Sequence, residues 1–119
     1  LVKDATEYLD KLSRDAAGNP GLQQELALSY LKIGNVQGET YRANLGDSDG
    51  AMSSYRKSAE LLEDLVATHP ANLEYRKNLR DAYRQMTTLL VRLENWREAE
   101  KAATRHFELS ETILESEPG

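Results

Sequence analysis

Arg76, Lys77, Arg80 and Arg84 fall at three- and four-residue steps, with Arg92 further along. On a helix that spacing gathers guanidinium and ammonium groups along one face, where they would hold an acidic peptide or a terminal carboxylate. Glu74 and Asp81 lie among them, so the same run also reads as a solvated face laced with local ion pairs. Other chemistry is harder to build. His69 precedes Pro70, where a cationic side chain suits a helix C-terminus, and His106 adjoins Phe107. With no cysteine and no His-x-x-x-His pair, neither histidine marks a metal site. The GDSDG run at 46–50 invites calcium, but an EF-hand loop counted from Asp47 needs an oxygen ligand fifth and glycine sixth. Ala51 and Met52 stand there instead, so Asp47 and Asp49 read as helix caps. Glu108, Glu111, Glu115 and Glu117 have no basic partner after Arg105 and no apolar pocket to raise a pKa, and they read as a solvated face. No Ser–His–Asp arrangement or phosphate-cradling glycine loop is present. The chain is therefore expected to be non-catalytic, with no cofactor and no metal.

The elements that must position these residues come from a chain of 119 residues, about one domain's worth. It is 39% apolar and 29% charged, with a mean hydropathy of -0.66. That composition fits a soluble, surface-rich module rather than a disordered one. No apolar run approaches the ~18–20 residues of a membrane span, and the first ten residues lack the pattern of a signal peptide. A net charge of -5 disfavours nucleic acid as a partner. The absence of cysteine is compatible with a reducing cytoplasm, the expected location. A start at Leu1 rather than Met reads as a segment of a longer chain.

Between Ala51 and Glu117 the only helix breaker is Pro70, and no stretch alternates like a strand. The fold class is all-α. A first helix carries Ala5, Tyr8, Leu9, Leu12 and Ala16 on one face. A second starts at Pro20 with Asn19 as N-cap, turns Leu22, Leu26, Tyr30 and Ile33 inward, and stops at Gly34. A third begins after Asp47 or Asp49 and runs through Ala51, Tyr55, Ala59, Leu62 and Val66 to about Thr68. The fourth begins near Asn72 and faces inward with Leu73, Leu79, Ala82, Tyr83, Met86, Leu90 and Leu93. Asn95 caps the fifth, whose inward residues are Ala99, Ala102, Ala103, Phe107, Ile113 and Leu114. Prolines at 20, 70 and 118 mark a period of roughly fifty residues. Leu12 falls on Leu62 and Ala16 on Val66, while Leu26 and Tyr30 fall near Leu79 and Tyr83 with a three-residue slip.

Gly46, Asp47, Ala51, Tyr55 and Ser58, closed by Pro70, resemble the B helix of the tetratricopeptide repeat family. Glu94, Asn95, Trp96, Glu98, Ala99 and Ala103, closed by Pro118, resemble a second copy. Leu26, Ala27, Tyr30 and Gly34 match the family's A helix. The resemblance covers most of 20–118 and departs in two ways: the period is about fifty rather than 34, and Asn35–Gly46 is inserted. That insert, with GDSDGAMSSYRKSAELLEDL, is similar to repeat regions on the C-terminal side of bacterial serine/threonine protein kinases. No kinase motif is present in this chain.

The resemblance implies about five antiparallel helices, ordered B–A–B–A–B, in a right-handed superhelical stack with extended helices. Residues 1–17 would be the B helix of a preceding repeat, 20–69 a repeat with an inserted loop at 35–46, and 72–117 a second repeat. The A helices would line a concave groove, offering Gln24, Leu28, Leu31 and Lys32 from the second helix and Lys77, Arg80, Asp81 and Arg84 from the fourth. In the insert, Tyr41 and Leu45 could pack back on the stack or Tyr41 and Asn44 could meet a partner. The function so implied is a protein-interaction scaffold for a peptide or partner domain, in a regulatory or recruitment module of a kinase. The alternative is an oligomerisation or spacer element, pairing through apolar end faces with Tyr8 and Leu12 on one and Ile113 and Leu114 on the other.

Overall fold

The structure, a computed structural model, describes residues 2–38 and 47–116. Among these every regular element is helical: α1 (Val2–Asp15), α2 (Pro20–Gly38), α3 (Ser48–Thr68), α4 (Leu73–Arg92) and α5 (Trp96–Ser116). Side chains fix where they start. Asn19 Oδ1 accepts from the Leu22 amide at 3.2 Å, Asp47 Oδ1 from Gly50 at 2.9 Å, and Asn72 Oδ1 from Tyr75 at 3.2 Å. Each such cap stabilises a helix by about 1 kcal/mol. At α5 the Asn95 carbonyl takes the Ala99 amide at 3.0 Å. The turn before it closes through the Asn95 amide on Leu90 O at 2.9 Å, with Glu94 at φ 60. Glycine usually takes that left-handed position, and a glutamate there stores about 1 kcal/mol of strain.

Cross-helix contacts give the directions. Between α2 and α3, Ser58 Oγ donates to Ala27 O at 2.7 Å, Tyr55 Oη to Asn35 Oδ1 at 2.7 Å, and Ser54 Oγ to Gln37 Oε1 at 2.6 Å. Numbers fall on one helix as they rise on the other, so the pair is antiparallel. Between α3 and α4, Tyr83 meets Glu63 and the Tyr75 ring meets His69 edge-on at 5.8 Å, again antiparallel. Helices α2 and α4 also touch, while α3 reaches α1 through Lys57–Asp10 and α5 through Arg105–Glu63. Among the described residues the result is five helices packed around one core, with α2–α3, α4–α5 and α3–α4 the main contacts. Leu62, Leu65, Leu79, Ala82, Leu89, Leu90 and Leu109 form the dry centre between them.

Four expectations need correction. Helix α2 does not stop at Gly34 but continues to Gly38, so residues 35–38 of the expected insert are helical. Gly34 does not have the positive φ of a helix-terminating glycine. A Cβ on it would lie 2.5 Å from Tyr55 Cε1, so the small residue serves close approach of two helices. Leu31, assigned to the groove, is buried in the core. On α5 the inward face uses Leu109, and Ala103, Phe107 and Leu114 point to solvent. Leu93, expected inside, is exposed at the end of α4. Of the expected end-face residues, Tyr8 and Leu114 are exposed, Leu12 is half-buried and Ile113 is buried.

Candidate functional site

Two polar clusters each join three helices. Tyr30 on α2 donates to Asp10 Oδ1 of α1 at 2.5 Å, and Lys57 Nζ of α3 reaches both Asp10 oxygens at 3.0 and 3.1 Å. Lys57 also lies 5.6 Å above the Tyr30 ring. One unit further on, Tyr83 of α4 donates to Glu63 Oε2 of α3 at 2.8 Å, and Arg105 of α5 clasps the same carboxylate at 2.9 and 2.7 Å. Acid and tyrosine are 53 residues apart in the two clusters, Asp10 to Glu63 and Tyr30 to Tyr83. The same interval relates the caps Asn19 and Asn72, the core residues Leu26 and Leu79, and Gln23 to Arg76. Gln23 Nε2 donates to Asp64 of α3 at 3.0 Å, and Arg76 Nη1 to Ser116 of α5 at 3.0 Å. Helices α2 and α4 therefore occupy equivalent places.

Electrostatics follow from these contacts. Burial works to raise the Asp10 carboxyl, but hydrogen bonds from Tyr30 and Lys57 and the Lys57 charge outweigh it and hold it low. Glu63 is likewise held low against burial by Arg105 and Tyr83. Burial first, then the adjacent carboxylate, pushes the Tyr30 and Tyr83 hydroxyls well above their usual range. Each cluster thus keeps a charged acid and a neutral phenol at neutral pH.

The expected binding residues lie on α2 and α4. The 53-residue interval pairs Gln24 with Lys77 and Leu28 with Asp81. Gln24 and Lys77 are half-buried, and Leu28 is 36% exposed. Asp81 Oδ1 lies 3.9 Å from Arg80 Nε and 3.8 Å from exposed Arg84 Nη2, so the centre of the basic row is an Arg–Asp–Arg ladder. Lys32 turns aside and borders a shallow apolar depression of about 280 Å³ with Val2, Ala5, Ile33 and Val36.

The row is shorter than its spacing suggested. Arg76 binds Pro70 O and Ser116, and Arg92 Nη2 donates to Gly38 O at 2.7 Å, closing the end of α2. Tyr41 and Asn44 lie outside the described residues. Among the described residues no group of three or more His, Cys, Asp and Glu is placed to hold a metal ion. No described helix is long and apolar enough to cross a membrane.

Sequence reasoning missed the two carboxylate–tyrosine–cation clusters and the roughly 460 Å³ cleft above the first, between α1, α2 and α3. The Tyr30–Tyr83 slip was the available signal; carried back to Asp10 and Glu63, it pairs acid with acid. No protein-family model, curated protein or solved structure matches this chain.

Proposed function

We propose that this chain is a non-catalytic protein-binding scaffold whose helices α2 and α4 together receive an extended peptide or a partner domain. What supports the reading is the 53-residue interval between α2 and α4, which pairs Gln24 with Lys77 and Leu28 with Asp81. Repetition of one face along adjacent helices is what a preformed surface for an extended ligand requires. The partner fits an acidic segment: Arg80 and Arg84 share the one Asp81 carboxylate at 3.9 and 3.8 Å, ion-pair rather than hydrogen-bond distances. The resemblance to tetratricopeptide repeats supports the same reading. Its likeness to regions beside bacterial serine/threonine kinases gives the scaffold a role in recruiting a substrate or sensing a signal, in the cytoplasm.

The test is capture from the source lysate by the wild type and by a Lys77→Glu, Arg80→Glu, Arg84→Glu variant of equal helicity. A partner retained by the wild type and lost by the variant, with amide protection on α2 and α4 when bound, is expected. Equal capture by both proteins moves binding off this face and ends the reading.

A further inference from the structure

Helix α5 carries an apolar stripe that its own core does not use. Its inward residues are Ala99, Ala102, Leu109 and Ile113. On another face Trp96 is 62%, Phe107 63% and Leu114 71% exposed, with Ala103 also open between them. At 100° per residue these four lie within about 40° of a single line along the helix. Three large apolar side chains in one solvent-facing row are unusual for a helix otherwise rich in charge.

The order of the stripe says what fits it. From Trp96 to Ala103 is seven residues, from Ala103 to Phe107 four, and from Phe107 to Leu114 seven. That spacing reads the same in both directions about Arg105, whose own side chain is turned away to Glu63. An antiparallel copy of the helix, related by a two-fold at this point, sets Trp96 against Leu114 and Phe107 against Ala103, twice over. The large ring meets the small residue, which two helices need for close approach.

Charge agrees with the same register. The first half of α5 holds Arg97 and Lys101, the latter 3.5 Å from Glu98, besides Glu100. Beyond Arg105 the charged residues are Glu108, Glu111 and Glu115, all acidic. A parallel pair would lay the all-acidic halves of the two copies together, whereas an antiparallel pair lays each beside a half that is neutral overall, with Arg97 and Lys101 against Glu98 and Glu100.

We infer that the α5 stripe is an isologous interface that pairs this chain with a second copy of itself. The inference is independent of the peptide-binding reading, because it uses α5 whereas that reading uses α2 and α4. A pair of single helices buries less than the ~1,200 Å² of a stable complex, so association in the range of about 10–100 µM is expected.

Sedimentation equilibrium of the whole chain across that range tests it. The mass should rise from 13.4 kDa toward twice that value. Phe107→Glu should weaken pairing by about tenfold or more while leaving the helical spectrum unchanged, since Phe107 packs little in the monomer. Arg97→Glu with Lys101→Glu in one protein, and Glu111→Lys with Glu115→Lys in another, should each stay monomeric alone and pair when mixed. A wild type that stays at 13.4 kDa throughout overturns the proposal, as does a Phe107→Glu protein that pairs normally or a mixture that fails to pair.

Discussion

Glu63 shows how one side chain can tie three helices. It sits on α3 and accepts from Tyr83 of α4 and doubly from Arg105 of α5. Because its carboxyl, like that of Asp10, is held low in the folded state, the native protein binds fewer protons than the unfolded chain in the carboxylate range. Both acids therefore add stability above the ordinary carboxylate pKa, and that contribution is lost as pH falls through the folded values. Glu63→Gln should cost about 1–2 kcal/mol at neutral pH, a modest figure because the pair is one-third exposed. Urea melts from about pH 7 to pH 3 should show the wild type losing more stability than the variant, so that the two curves converge in acid. At this scale the caps were legible in the sequence because a cap is settled within four residues. The clusters were only half legible. Their acids and tyrosines keep one interval, but Lys57 and Arg105 are 48 residues apart rather than 53, and a contact from a third helix leaves no fixed spacing.

At the scale of the element, two glycines in α2 separate space from propensity. Alanine at Gly21 would meet only Asn19 Oδ1, at 3.8 Å, so its better helix propensity should stabilise by about 0.5–1 kcal/mol. Alanine at Gly34 would gain the same propensity but press 2.5 Å from the Tyr55 ring. That ring is buried and tethered through its hydroxyl to Asn35, so the overpacking cost of about 1–3 kcal/mol should win. Thermal melts of the two variants should move in opposite directions. Reading Gly34 as a stop was reasonable locally and failed because the deciding atom belongs to another helix. The inward face of α5 was misread for a related reason. Apolar residues occupy two sides of that helix, and periodicity identifies both without saying which one the core takes.

For the whole molecule, stability is uneven. Helix α1 has no buried residue and packs on α2, whereas α3 and α4 supply most of the core. Amide exchange should therefore begin in α1, faster than in α3 by a factor of about 10 or more. Equal protection across the two helices would show a single cooperative unit instead. The all-helical class, the five helices among the described residues and the antiparallel run of α2, α3 and α4 were legible, since breakers and periodicity are distributed along the chain. In the single, unpaired chain the sole tryptophan, Trp96, stands in water at the edge of the fold, while Tyr30, Tyr55 and Tyr75 are inside. An indole already hydrated changes its surroundings little when the chain unfolds. Its emission will consequently be a poor thermometer of the core, and tyrosine absorbance the faithful one.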